Sequence, residues 1–358
     1  MQVLNFKETA SLLTVMGKSL TVMVRGEAGI GKSSLGAYLK ETEFPNHNLI
    51  MFDASVRSEG DVGLPWLVEI NGKQVTTYAP SELFGLHLDG PSIVVIDELT
   101  KAGPGMINQL LPVLLERRFN VNKLHPDTIL FCTGNLTSEL LGDVLPAHAL
   151  NRVMDITMRK PRLVDEQGYP GEWLKDYAIP RGAPVSAIGF CLEYPQIFAD
   201  YSESSSNNPY IHKPGNVTGQ FVTPRSFSNL IFELLPRRDR LSSNVFFAAM
   251  VGLVGIACAE SFNTYLKVEM DLPTTVQVLE DPVECRLPNK PVERLMMTYR
   301  LAQGVSAQNI DKIAAYVKRF GGETRALFTY LVSTDKPALN GHLARLKLLQ
   351  DLTALRTA

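Results

Sequence analysis

The chain has few cysteines. Four among 358 residues (Cys132, Cys191, Cys258 and Cys285) lie far apart and form no C-x-x-C pair. That argues against a disulfide frame or a cysteine zinc site and predicts thiols of a reducing compartment. It also lacks an excess of either charge: 35 Lys and Arg face 37 Asp and Glu, a net charge of −2. No global basic footprint therefore announces nucleic acid or an anionic membrane. The six histidines (47, 87, 125, 148, 212 and 342) show no ligand spacing, so no transition metal is expected. Long apolar runs are missing as well. The longest, Val245 to Ala259, is too short to span a bilayer and ends at Glu260, which predicts a buried helix. Lys7 and Glu8 come early, with no apolar h-region, so no export signal is expected. These absences together predict a soluble, cytoplasmic protein without a membrane partner. No sequence repeats are visible.

What the chain does have is Gly26-Glu27-Ala28-Gly29-Ile30-Gly31-Lys32-Ser33-Ser34. This fits G-x-x-x-x-G-K-[ST], the loop that cradles phosphates. Glycines let the backbone turn left-handed, so that successive N–H groups point inward at an anion. Lys32 brings a mobile positive charge to the terminal phosphates, and the Ser33 hydroxyl can ligate Mg²⁺. The β-branched apolar run 20–24 reads as a buried strand before the loop. Leu35, Tyr38 and Leu39 have helical spacing after it, which would put phosphate at a helix N-terminus.

Strand and helix then alternate through residue ~160, predicting a parallel five-stranded αβα sandwich over residues 1–162. Further strands are read at 48–53, 92–96, 129–133 and 153–158. The third ends in Asp97-Glu98, carboxylates at the sheet edge where such folds bind ligands. Asp97 would hold Mg²⁺ and Glu98 would orient and polarise the attacking water. The fourth closes on Gly134-Asn135, whose amide could hold that water or the terminal phosphate. Between the second and third, residues 61–84 hold two β-rich runs around Asn71-Gly72, the strongest short-range hairpin signal, which should project outward. A polar excursion at 119–127 reads as a smaller hairpin. Beyond Lys160 the pattern is helical, with helices expected at 184–195, 226–235 and 244–267 and a long polar loop at 199–222. Thr223-Pro224-Arg225 should start a helix. A proline-bearing linker is expected from Asp271, followed by helices at 292–304, 306–320, 324–333 and 338–355.

The phosphate loop at 26–33, the Asp97-Glu98 strand, Asn135, Arg152 before the fifth strand and Arg225 in Thr-Pro-Arg-Ser-Phe together resemble an AAA+ ATPase over residues ~20 to ~265. The order is similar to the MoxR type, whose helix-2 insert and pre-sensor-1 hairpin match residues 61–84 and 118–127. Ala28 departs from the proline that many relatives carry. The resemblance implies an all-α lid at 163–270 and leaves a helical extension at 271–358. It implies a homo-oligomer, a hexameric ring or open spiral, with ATP and Mg²⁺ between subunits. Asn135 would be sensor 1, Arg152 the arginine finger reaching a neighbour's nucleotide, and Arg225 sensor 2, with Arg117 and Arg118 weaker interface candidates. It also implies chaperone-like remodelling or maturation of a client protein complex, often with a von Willebrand A-domain partner. The alternatives are a motor on nucleic acid, with Arg237, Arg238 and Arg240 or Arg159, Lys160 and Arg162 as basic clusters, and a nucleotide-gated assembly scaffold.

Overall fold

The computed structural model describes residues 2–61, 65–136, 145–200, 208–211, 219–350 and 352. Its first half is built on a parallel sheet of β1 (Val3–Leu4), β2 (Val22–Arg25), β3 (Asn48–Asp53), β6 (Ser92–Asp97), β9 (Ile129–Gly134) and β10 (Met154–Met158). The strand order is β1-β10-β2-β9-β6-β3. Five of these are the expected strands; β1 is a sixth, pairing Val3 with Thr157 and Leu4 with Met158 at the sheet edge. Two residues are too few to show any periodicity, so nothing in the sequence separates them from a coil.

The central strands are apolar on both faces because both faces are covered. Ile93 and Val95 of β6 point to one layer, where they pack with Leu13 of α1 (Phe6–Met16) and with Leu35 and Leu39 of α2 (Ser34–Thr42). Val94 and Ile96 point to the other, against Leu110, Val113 and Leu114 of α3 (Pro104–Glu116). Two antiparallel hairpins leave this sandwich. β4 (Pro65–Ile70) and β5 (Lys73–Tyr78) join at Asn71 and Gly72, both left-handed with φ 54° and 71°, as a two-residue hairpin turn demands. Residues 62–64 of the expected 61–84 insert lie outside the described residues. β7 (Arg118–Phe119) and β8 (Asn122–Lys123) form the smaller hairpin, and Asn122 Nδ2 donates to Tyr78 O (3.3 Å), tying it to the base of the first.

A short α4 (Ala147–Leu150) precedes β10, and the second half is helical: α5 (Val185–Glu193), α6 (Pro224–Asn229), α7 (Ser243–Val254), α8 (Ile256–Asp271), α9 (Thr275–Glu280), α10 (Pro291–Gly304), α11 (Ile310–Val317), α12 (Gly322–Asp335) and α13 (Asn340–Arg345). One buried cluster runs through all of it, from Leu163 to Leu348, so helices on both sides of residue 271 share a core. Phe190, Phe227 and Phe262 lie at its centre, their rings 5.3–6.0 Å apart. Among the described residues no helix is long and apolar enough to cross a membrane.

Three expectations change here. The run 245–259 is two helices, broken at Gly255 (φ +78°), where a Cβ would meet Gln220 O at 2.3 Å. Only one face of that run is buried (Phe246, Met250, Val254 and Cys258), while Val245 and Ile256 are exposed. The expected linker after Asp271 contains α9, started by a capping box between Thr274 and Gln277. The helix expected at 226–235 is α-helical only to Asn229 and continues as a π-turn, Leu230–Leu234. Of the loop expected at 199–222, residues 201–207 and 212–218 lie outside the described residues. Phe227→Ala should cost about 3–5 kcal/mol, because its ring is fully enclosed and its removal leaves a cavity in the aromatic centre. Urea unfolding measures this, and a loss below ~1 kcal/mol would contradict the shared aromatic centre.

Candidate functional site

β2 delivers the chain into the loop 26–33, and α2 leaves it at Ser34. Gly29 (φ +73°) and Gly31 (φ +98°) are left-handed, the conformation that turns N–H groups inward. At Gly26 a Cβ would lie 2.5 Å from Ile30 Cδ1 and 2.6 Å from Met158 O, so only glycine lets β2 and β10 stay this close. The Lys32 ammonium is buried and donates to Gly26 O (2.8 Å), Glu27 O (2.8 Å) and Asn135 Oδ1 (3.0 Å). A buried ammonium needs such acceptors, and here they come from the loop itself and from the tip of β9.

Register explains why the remaining groups meet. β6 and β9 are neighbours with Ile96 level with Cys132, so Asp97 comes level with Thr133. β9 also borders β2, with Gly134 level with Arg25, and Gly26 N donates to Gly134 O. Ser33 Oγ donates to Asp97 Oδ1 (2.7 Å). The Thr133 hydroxyl donates to the same oxygen and accepts from Glu98 N (3.1 Å). Glu98 stands in left-handed backbone (φ 56°), an uncommon state for a residue with a Cβ, and its carboxylate pairs with Lys101 Nζ at 2.5 Å. A hydroxyl beside a carboxylate is a hard-oxygen donor pair that suits Mg²⁺. The lysine and the left-handed glycines suit a polyphosphate.

Gly26 to Ser34, Asp97, Glu98 and Asn135 therefore gather at the C-terminal edge of the sheet. Arg225 is brought to it by backbone: its N–H donates to Gly29 O (3.1 Å), and Thr223 lies where a Gly29 Cβ would be, 2.8 Å from Oγ1. Thr223 caps α6 through Ser226, which fixes this approach. Arg152 is elsewhere. It precedes Met154, which is level with Val22 at the start of β2, so it lies off the sheet edge opposite its own phosphate loop. Arg117 is used inside the chain: its half-buried guanidinium donates to Gly17 O and Thr128 O, and desolvation lowers its pKa. Arg118 pairs with Glu116. In the basic clusters, Arg237 pairs with Glu233, Arg238 lies over Phe246, Arg159 pairs with Glu172 and Lys160 with Glu27.

Sequence reasoning missed Thr133, Lys101, Thr223 and the Glu27–Lys160 pair. Thr133 was findable, because the strand that ends at Gly134-Asn135 places it beside the Asp97 strand. Nothing in the sequence pairs Glu27 with a lysine 133 positions away.

Residues 21–128 match the model of the AAA domain (dynein-related subfamily). That span takes in the phosphate loop, the first hairpin, Asp97 and Glu98, and stops short of Asn135, Arg152 and Arg225. No curated protein matches the chain. Among solved structures, a cryo-EM reconstruction of closed-state Hsp104 with ATPγS and FITC casein aligns with 40% of this chain and 29% of that chain. Its sequence identity is 19% and its TM-score 0.28. The domain match over residues 21–128 and the sheet order agree on an AAA+ α/β fold.

Gly29→Ala would force a left-handed alanine against Thr223, a strain of ~1–2 kcal/mol. Affinity for a fluorescent ADP analogue should fall by about tenfold or more. Unchanged affinity would mean that this loop conformation is not the one that binds.

Proposed function

We propose that the chain is an ATP-hydrolysing ring motor of MoxR type that remodels or matures a partner protein complex. The observation that carries this reading is the convergence of Lys32, Ser33, Asp97, Glu98 and Asn135 at one sheet edge. Lys32 is held by oxygens of Gly26, Glu27 and Asn135, and a triphosphate offering full negative charge competes well for such an ammonium. Mg²⁺, held by Ser33 and Asp97, would neutralise charge between the phosphates when bound. Glu98 orients the attacking water once it turns from Lys101, and Asn135 holds the terminal phosphate or that water.

The place of Arg152 supports hydrolysis at subunit interfaces. Its position off the far edge of the sheet supports a role on a neighbour's nucleotide rather than its own. A finger in trans makes turnover depend on assembly, by ~10³-fold or more in rate. A hexamer is the ring we propose. Arg225, anchored beside Gly29, is the natural sensor of what the loop holds. The two hairpins are the levers toward a client. Trp66, Leu67 and Ile70 of the first are exposed, and Asn122 links the second to its base, so both would move together. A von Willebrand A-domain protein is the partner class that this reading favours.

Glu98→Gln should bind ATP but hydrolyse it at least ~10²-fold more slowly. Phosphate-release assays decide this, and wild-type turnover would mean that another residue positions the water. Arg152→Ala and Lys32→Ala should each be inactive alone, yet regain some turnover when mixed, because a mixed interface pairs an intact loop with an intact finger. Silence at every mixing ratio would remove the trans assignment.

A further inference from the structure

One charged cluster plays no part in the chemistry above. Glu27, inside the phosphate loop, is 7% exposed, and Lys160, two residues beyond β10, is 6% exposed. Their side chains form a close ion pair. The same ammonium donates to Ala199 O (2.9 Å), and the Asp200 carboxyl hydrogen-bonds the Glu27 carboxyl. Ala199 follows Phe198, whose ring packs edge-on against Trp173 (5.1 Å) in the helical core. Glu27 therefore has two lysines: its carbonyl holds Lys32 and its carboxylate holds Lys160. We propose that Glu27, Lys160 and Asp200 form a clasp that fixes the phosphate loop against the helical half of the chain, with Lys160 as a positioning residue for the nucleotide site. The link to nucleotide affinity rests on the function proposed above; the clasp itself does not.

The physics of the cluster follows from its charges. Two carboxyls in hydrogen-bond contact need a proton between them, and one ammonium cannot balance both once that proton leaves. Among the described residues, the charged groups facing Asp200 are Glu27 from the loop and Lys160 and Arg159 from the exit of β10, Arg159 being already paired with Glu172. Burial first, then the hydrogen bond and the charge of Glu27, push the Asp200 carboxyl up to about 6, against the pull of Lys160 and Arg159. A raised folded-state value means that the contribution is fully present below the ordinary carboxylate range near 3.8 and is lost as pH rises through about 6. The clasp is thus tighter at pH 5 than at pH 7.5. Breaking it by removing Lys160 leaves a buried carboxylate unpaired beside the loop, which displaces the backbone around Lys32.

Two measurements test this. The first needs no nucleotide. Asp200→Asn keeps a hydrogen-bonding partner for Glu27 without the charge, so its melting temperature relative to wild type should rise between pH 5 and pH 7.5, by about 2–4 °C. A difference that stays flat across this range overturns the clasp. The second is affinity for a fluorescent ADP analogue. Lys160→Met should weaken it by about tenfold, and Lys160→Arg should restore most of the loss. Should Lys160→Met fail to fold, the Glu27→Gln/Lys160→Met pair, which removes both charges, takes its place and should bind more weakly than wild type. Wild-type affinity in whichever of these variants folds, with wild type itself binding, overturns the positioning role. If wild type binds no ADP while the pH-dependent melting difference is present, the nucleotide reading fails and the clasp stands.

Discussion

An ammonium taken out of water has to be surrounded by oxygen, and the site is arranged around that requirement at Lys32. Two carbonyls of its own loop and the amide oxygen of Asn135 hold it. This one group therefore joins the loop, β2 and the tip of β9. The left-handed glycines make the loop narrow enough for the carbonyls to converge. The close passage of Gly26 against Met158 makes β10 part of the same structure.

Parallel strands supply the rest. Because β2, β9 and β6 are neighbours in register, their C-terminal ends bring a glycine loop, a hydroxyl, an amide and two carboxylates to one edge. Thr133 shows how tightly this is drawn: a single hydroxyl serves both Asp97 and the backbone of Glu98. Among the described residues the chain beyond β10 meets the loop at Gly29 through Thr223 and Arg225, and at Glu27 through Lys160 and Asp200. A change in what the loop holds would reach the helices through these contacts.

How much of this could be read from residues alone depended on range. The glycine loop between β2 and α2, the strand ending in Asp97 and the Asn71-Gly72 turn were legible because their backbone demands are local to a few residue types. The buried strands were legible as unbroken apolar runs. Gly255 was not, since hydrophobicity runs straight across it and its left-handed turn is set by the approach of Gln220. α9 was hidden by surrounding prolines although Thr274 and Gln277 spelled out a cap. Lys160 looked like part of a basic surface cluster, and only the fold shows it to be buried against Glu27. Arg117 read as a weak interface candidate, and its bonds to Gly17 O and Thr128 O within the chain could not be foreseen from neighbouring residues.

Calorimetric titration of the wild-type chain with ADP in the presence of Mg²⁺ addresses the central claim most directly. The account predicts a saturable heat with a single site per chain and affinity near the micromolar range, about −8 kcal/mol. No binding heat at millimolar ADP, from a chain that is folded, would contradict it.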